Sequence, residues 1–92
     1  MTQPLNYTIF KDDEEHVITI TPEIQRRPGD VMYITGVYKL MEGEVGMGDI
    51  VFDDEMRQWE HTGVGSYLNH TDAAEIAGFI QVNHITAQNV AL

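Results

Sequence analysis

The segment Thr71-Asp72-Ala73-Ala74-Glu75-Ile76-Ala77-Gly78-Phe79-Ile80 decides the fold, because it carries the one strong helix signal in this chain of 92 residues. Asp72, followed by Glu75 one turn later, resembles a capping box, and Thr71 is the alternative N-cap. Acidic residues in a first turn also interact favourably with the helix dipole. We therefore predict a helix that begins at Thr71 or Asp72.

The apolar residues of this predicted helix fall on one face. At helical spacing that face carries Ala73, Ile76, Ala77 and Ile80, with Phe79 at its edge. The pattern weakens after Val82 or His84, and we expect a tail from about residue 85 that frays. Because one apolar stripe has to be buried against another element, the rest of the chain should supply a surface for it.

The residues before the helix alternate in the manner of β-strands. Leu5, Tyr7 and Ile9 alternate with polar neighbours, which is typical of a half-buried strand. Three further segments are rich in β-branched and aromatic residues: residues 16–21, 31–40 and 49–52. Turn-forming stretches separate these segments, namely the charged residues 11–15 and 53–55 and the glycine-rich residues 41–48.

The stretch of residues 22–30 interrupts the strand pattern. Pro28 followed by Gly29 is a turn signal, because proline presets φ and glycine tolerates the positive φ of a type II turn. Residues 23–27, before that turn, are compatible with a short helical turn that ends at Pro28.

The segment from Met56 to His61 is compatible with two structures. The acidic residues before it suit the first turn of a helix. A strand would place Trp59 and His61 on one face with Arg57, and no helical stripe of apolar residues is present. We favour the strand and leave the helix open.

These elements predict a single α+β domain in two layers that covers residues 1–92. An antiparallel β-meander of four to five strands carries one C-terminal helix packed on one face. The opposite face is then left to solvent or to a partner. Because residues 17–20 and 31–40 have apolar side chains on both faces, we expect this open face to be partly apolar, which is typical of an interface. Exposed strand edges offer a second place for pairing with another chain.

The composition restricts the choice of partner. Fifteen acidic residues against five basic ones give a net charge of −10. Direct nucleic-acid binding is disfavoured because the chain cannot build a basic face, and an anionic membrane surface is disfavoured for the same reason. The chain also lacks a run of about 20 apolar residues that could span a membrane. A cationic partner is compatible with the charge.

Two further absences bear on the compartment. The chain contains no cysteine, which excludes disulfides, thiol catalysis and thiolate metal sites. Residues 1–6 show no basic region followed by an apolar run, so we expect no signal peptide. The resulting expectation is a cytoplasmic protein.

No motif in the chain specifies a catalytic, cofactor or metal site. The four histidines lack the H-x-x-x-H and H-x-H spacings. The acids at 12–15 and 53–55 lack the register of an EF-hand loop, and the glycines at 43, 46 and 48 do not form a phosphate-binding loop. We therefore expect no catalytic residue, no cofactor and no metal.

The favoured hypothesis is a small acidic protein-interaction or assembly module without catalytic activity. Its partner is another protein or a second copy of the chain, as in a homodimer. Aromatic residues and arginine are enriched at binding hot spots. The residues expected to contact the partner are therefore Trp59, Arg57, Tyr33 and Tyr38.

Two alternatives remain open. The first is an acidic nucleic-acid mimic that binds a DNA- or RNA-binding protein, which requires a row of acids on one face. The acids of one dense stretch are Glu42, Glu44, Asp49, Asp53, Asp54, Glu55 and Glu60. The second is a small metal-binding or hydrolytic domain using His61, His70 and nearby carboxylates, which requires these side chains to converge within a few Å.

Overall fold

The computed structural model describes residues 3–29, 31–53, 55–63 and 67–91, with the backbone alone for residues 26–27, 31–34 and 84–91. Five antiparallel strands form one sheet in the order β1-β2-β3-β4-β5, and one helix follows them. The elements are β1 (Leu5–Lys11), β2 (Glu14–Arg27), β3 (Val31–Glu42), β4 (Val45–Phe52), β5 (Trp59–Thr62) and α1 (His70–Ala91). The predicted fold class, an antiparallel meander with one C-terminal helix in a small α+β domain, is confirmed.

Two tight turns close hairpins at one end of the sheet. Asp12 and Asp13 connect β1 to β2, and both have positive φ, 53° and 65°. This is the geometry of a two-residue type I′ turn, whose twist matches that of the strands. The β3–β4 turn at Gly43 lies at the same end, and the β2–β3 turn at Pro28-Gly29 lies at the opposite end.

The core lies between α1 and one face of the sheet. Its buried side chains are Ile9, Ile18, Ile20, Tyr38, Leu40, Met47, Ile50, Phe52, Leu68, Ala73, Ile76, Ala77 and Ile80. Burying one large aliphatic side chain contributes about 1.5–3 kcal/mol to stability, so this set dominates the folding free energy. Tyr7 packs on Phe79 with ring centroids 4.8 Å apart, and its hydroxyl donates to Glu75 at 3.0 Å. The helix therefore lies across β1 as well as over the centre of the sheet.

The helix begins at His70, and Asn69 is its N-cap. The Asn69 Oδ1 accepts a hydrogen bond from the Asp72 N–H at 2.8 Å, and the Asp72 Oδ2 accepts one from the Asn69 N–H at 3.2 Å. This reciprocal pair is a capping box. The predicted N-cap at Thr71 or Asp72 is wrong, because asparagine caps as well as aspartate does and Asp72 is needed as the return partner.

α1 is longer than the sequence pattern predicts. It continues to Ala91, past the expected end near Val82 or His84. In the residues that the structure describes, no helix combines the length and the apolar content needed to cross a membrane.

β2 continues through the segment that the sequence predicts as a break. Residues 23–27 form strand and not a helical turn, and the register with β3 shifts just after Pro22. A bulge suits Pro22, because proline cannot donate a hydrogen bond to the ladder. On the β3 side, the Thr35 hydroxyl donates to the Glu23 carbonyl at 3.1 Å, and Gly36 adopts a φ of 87°. A side-chain hydrogen bond and a glycine therefore keep both strands paired beyond the proline.

Residues 56–61, for which a strand is favoured over a helix, divide into a turn and a strand. The Asp53 carbonyl accepts the Met56 N–H at 3.1 Å, and the Asp53 carboxylate accepts the Arg57 N–H at 2.8 Å. These hydrogen bonds close a turn, and β5 begins only at Trp59. The strand prediction is confirmed for residues 59–61 and wrong for residues 56–58.

Replacing Asp13 by glycine tests the backbone strain in the β1–β2 turn. The left-handed region costs most L-residues roughly 1–2 kcal/mol, and aspartate tolerates it better than most. We expect Asp13→Gly to raise the free energy of unfolding in urea by about 0.5–1 kcal/mol, because glycine suits this turn position. Asp13→Ala removes the same charge but keeps the Cβ, so it should not stabilise. An equal gain in both variants would point to charge relief instead of strain.

Candidate protein-interaction surface

Tyr38, predicted as a partner contact, lies in the core. Its side chain has no solvent exposure, and its ring meets Phe52 edge-on with centroids 5.6 Å apart. Its hydroxyl has no hydrogen-bond partner in the described part of the chain, and burial raises its pKa. The assignment of Tyr38 to a surface is wrong, because it lies on the helix-facing side of β3, whereas Val37 lies on the outer side.

The other three predicted contacts differ in their surroundings. Trp59 is partly buried and stacks on the His70 ring, with centroids 5.3 Å apart and planes inclined by 20°, so it anchors the first turn of α1. Arg57 is exposed in the β4–β5 link and pairs with Glu55 at 3.2 Å. Tyr33 lies in β3, where only its backbone is described. With Tyr38 buried and Trp59 packed against the core, Arg57 is the one of the four that the structure shows to be exposed.

His61 and His70, the centre of the metal-binding or hydrolytic hypothesis, line one cleft. The cleft has a volume of about 360 Å³ and lies between β5 and the start of α1. The His61 Nε2 donates to the Met47 carbonyl at 2.9 Å, and His70 stacks on Trp59. Within the described residues, no three His, Asp or Glu side chains are grouped so that they could hold a metal ion. The geometry therefore gives this hypothesis no metal site.

The acids of the nucleic-acid mimic hypothesis do not share one face. Glu42 lies at the end of β3 close to the start of α1, and Asp53 lies at the opposite end of the sheet. Asp49 and Glu60 belong to the outer sheet face, and Asp54 lies outside the described residues. Mimicry of a phosphate backbone needs a continuous row of charge, so this scatter does not support it.

A polar network joins the hairpin ends to the start of the helix. The Tyr67 hydroxyl donates to Glu42 Oε1 at 2.8 Å, and the His16 Nδ1 lies 2.8 Å from Glu42 Oε2. The His16 and Tyr67 rings have centroids 4.9 Å apart. The Lys11 Nζ donates to Asp72 Oδ2 at 2.8 Å, although these residues are 61 positions apart in the chain. Separations of this size leave no local sequence motif from which the network could be identified.

Hydrogen bonds lower the pKa of both carboxylates in this network. His16 and Tyr67 donate to Glu42 and hold its pKa below the ordinary value. Burial alone would raise the pKa of Asp72, but hydrogen bonds from Lys11 and from the N-cap backbone outweigh burial, and the pKa is lowered. The pKa of Tyr67 is raised, first by burial and then by its bond to Glu42. The network therefore holds ionised carboxylates whose role is to join the strands to the helix.

The sheet face opposite α1 carries exposed apolar side chains. Phe10 is 71% exposed and Val17 is 46% exposed. They are diagonal neighbours across β1 and β2, because Phe10 pairs with Glu15, two positions before Val17. Val37 and Val51 pair with each other further along the same face and are half-buried. The open face is therefore partly apolar, as the strand pattern predicts.

β1 is an edge strand whose free edge leads into an acidic turn. Among the described strands it pairs with β2 alone. Lys11 is its only basic residue, and its ammonium group is bound to Asp72. Three exposed acids of the turn form no ion pair with another described residue: Asp12, Asp13 and Glu15. We refer to β1, Val17 and residues 12–15 together as the β1 edge surface.

β2 and β3 extend beyond the rest of the sheet as a two-stranded arm. β1 pairs with β2 only up to Ile20, and β4 pairs with β3 only from Val37. Residues 24–27 and 31–34 pair with each other and with no other strand that the structure describes. We call residues 24–29 and 31–34 the β2–β3 arm. It lies at the end opposite the acidic turn, and the molecule including the arm measures 46 × 24 × 22 Å.

Comparison with protein-family models, with curated proteins and with solved structures finds no match to this chain. No relative therefore supplies a function for this chain. Two features of the described structure that could contact a partner are the β1 edge surface and the β2–β3 arm.

Replacing Tyr38 by phenylalanine tests the cost of its buried hydroxyl. Burying a polar group without a hydrogen bond costs about 1–3 kcal/mol, and phenylalanine has the same shape without that group. We expect Tyr38→Phe to raise the free energy of unfolding by about 1 kcal/mol in urea denaturation. Tyr7→Phe is the matched control, because the Tyr7 hydroxyl is bonded to Glu75 and its removal should not stabilise. A loss of stability in Tyr38→Phe would show that the hydroxyl is satisfied in solution.

The lowered pKa of Glu42 predicts a pH-dependent contribution to stability. Because the folded pKa lies below the ordinary value of 4.5, ionised Glu42 stabilises the fold above that pH. This stabilisation is lost as the pH falls through the folded pKa. Glu42→Gln should therefore be less stable than the wild type at pH 7 and should lose less stability on acidification. Thermal unfolding at a series of pH values measures both effects.

Glu44→Gln is the control for this experiment, since Glu44 lies in the neighbouring turn and is exposed. It should retain the pH dependence of the wild type. Parallel stability profiles for Glu42→Gln and the wild type would contradict the role assigned to the network.

Proposed function

We propose that this protein is a small protein-interaction module that binds an extended, basic segment of a partner along the β1 edge surface. The observation that carries the proposal is Phe10, a large aromatic side chain that is 71% exposed on an edge strand. Soluble proteins normally protect edge strands with charges, proline or a covering element. In β1 the one basic side chain is engaged elsewhere, by Asp72. An unprotected edge of this kind is suited to the addition of a strand.

Strand addition would use both the backbone and the side chains of β1. In β1, alternate residues direct their backbone N–H and C=O groups to the edge that pairs with no other described strand. A partner strand that hydrogen-bonds to this edge has alternate side chains on the outer face, next to Phe10, with Val17 one strand further in. Apolar residues at those alternate positions would bury the patch, and the opposite side chains would lie near the edge of α1.

The charge of the chain selects a basic partner. The net charge is −10, and the acids of the turn at residues 12–15 lie where β1 ends. An antiparallel partner strand would begin beside this turn, so lysine or arginine near its N-terminal end would meet Asp12, Asp13 and Glu15. Complementary charge of this kind contributes mainly to association rate and specificity.

The polar network makes the β1 edge surface a rigid template. Lys11 and His16 lie at the turn end of the β1–β2 hairpin, and both are bound to groups on other elements, Asp72 and Glu42. The hairpin is therefore held in place before a partner arrives. A preformed surface loses less conformational entropy on binding than a mobile one.

The test uses a fluorescent probe peptide with two N-terminal arginines followed by alternating valine and threonine. We expect saturable binding by fluorescence anisotropy, with slower hydrogen exchange at the amides of β1. Phe10→Ser should weaken binding about tenfold or more, equivalent to a loss of about 1.4 kcal/mol.

Val45→Ser is the matched control, because Val45 is 63% exposed but lies at the start of β4, away from the β1 edge. It should bind the probe as the wild type does. A second probe, with glutamate in place of arginine, should bind weakly. Equal affinities for both probes, or no effect of Phe10→Ser, would refute the proposal.

A further inference from the structure

We infer that the partner segment is supplied by a second copy of this chain: the β2–β3 arm of one molecule pairs with the β1 edge surface of another. This inference rests on the proposed function and names its partner. It is carried by three properties of the arm, namely its charge, its unpaired strand edges and the direction in which its strands run.

The charge of the arm is opposite to that of the rest of the chain. Arg26 and Arg27, two of the five basic residues, lie at the end of β2 next to the arm turn. Between positions 24 and 34 the sequence contains one acid, Asp30, so this segment has a net positive charge. The remainder holds fourteen acids and three bases. One end of the molecule therefore complements the acidic turn at its other end.

The arm has strand edges and apolar residues that no other described strand pairs with. Residues 31–34 are Val-Met-Tyr-Ile, four apolar residues in sequence, and in the described structure they pair only with β2. An isolated two-stranded ribbon is marginally stable in water, and a third strand stabilises it. The free edge at residues 31–35 is comparable in length to the seven residues of β1. Because β4 of the same copy occupies this side of β3 from Val37 onward, pairing is limited to these five residues.

The strand directions bring the opposite charges together. β1 runs towards the acidic turn at Asp12-Asp13, and β3 runs away from the arm turn. Antiparallel pairing of β3 in one copy with β1 in the other therefore places positions 26 and 27 near the acidic turn. Parallel pairing would place them near Leu5 instead. Electrostatics thus favours the antiparallel arrangement, which is also the pairing used throughout this sheet.

The contact joins two different surfaces. In a pair of copies, one molecule therefore keeps a free β2–β3 arm and the other keeps a free β1 edge surface. Such heterologous contacts produce rings when the rotation closes and open chains when it does not. Association should therefore continue beyond a dimer as the protein concentration rises. A two-fold dimer that stops at two copies would require a different contact.

Sedimentation velocity of the full chain over a hundredfold range of concentration is the first measurement. It is made in 150 mM NaCl, where repulsion between the acidic bodies is screened beyond about 8 Å. We expect the weight-average sedimentation coefficient to rise with concentration. Arg26→Glu/Arg27→Glu and Asp12→Lys/Asp13→Lys should each abolish this rise, with circular dichroism used to verify folding.

A charge exchange separates a specific contact from a general effect of charge. The chain that carries all four substitutions restores the complementary pair with the signs reversed, and we expect its association to return. Glu55→Lys/Glu60→Lys is the control, since it changes the net charge by the same amount as the lysine pair but lies outside both surfaces. Its association should not fall.

Each outcome decides the inference. Restored association in the fourfold variant supports it. A monomer at every concentration refutes it, as does association that Arg26→Glu/Arg27→Glu leaves unchanged or a species that stops at a dimer. If the protein is monomeric yet still binds the arginine probe through Phe10, the proposed function stands and only the identity of the partner is wrong. If neither occurs, both fail.

Discussion

The packing of one apolar helix face against one face of the sheet is the constraint on which the rest of the structure depends. The small side chains of Ala73 and Ala77 allow α1 to approach the strands closely, and Ile76 and Ile80 fill the space between them. Because side chains alternate along a strand, the position of the helix decides the environment of every sheet residue. Tyr38 is thereby buried while its neighbour Val37 is not, and the outer face is left with Phe10 and Val17.

The start of the helix is the most strongly connected point of the molecule. Asn69 and Asp72 cap each other, Asp72 also binds Lys11, and Trp59 stacks on the first helical residue, His70. These contacts join α1 to both edge strands of the sheet. The arm lacks such contacts among the described elements, because its two strands pair only with each other.

Much of the fold could be predicted from periodicity, and the errors have specific physical causes. Alternation at Leu5, Tyr7 and Ile9 and the apolar stripe of the helix are local patterns, so the meander and its helix were predictable. The break predicted from Pro22 onward is wrong because Thr35 and Gly36, on another strand, allow β2 to continue past the proline. Such compensation depends on register, which the local sequence does not reveal.

The candidate surface was less predictable than the fold. Composition favours Trp59, Arg57, Tyr33 and Tyr38 as contacts, but the face on which a strand residue lies depends on where the helix packs. Phe10 could have been identified only after β1 was known to be an edge strand. The network of Lys11, His16, Glu42, Tyr67 and Asp72 assembles from four separate segments, so it required the tertiary structure.

The order of the elements along the chain has a consequence for biosynthesis. Every strand lies beside its neighbour in sequence, so each hairpin can form as soon as its second strand leaves the ribosome. The helix is translated after the whole sheet, and until it docks, Ile18, Ile20 and Leu40 remain in contact with water. In a nascent chain paused before residue 70, apolar side chains would therefore be exposed on both faces of the sheet instead of on the outer face alone. Binding of chaperones to this protein should be greatest between the synthesis of β5 and the docking of α1, and it should fall once the helix has docked.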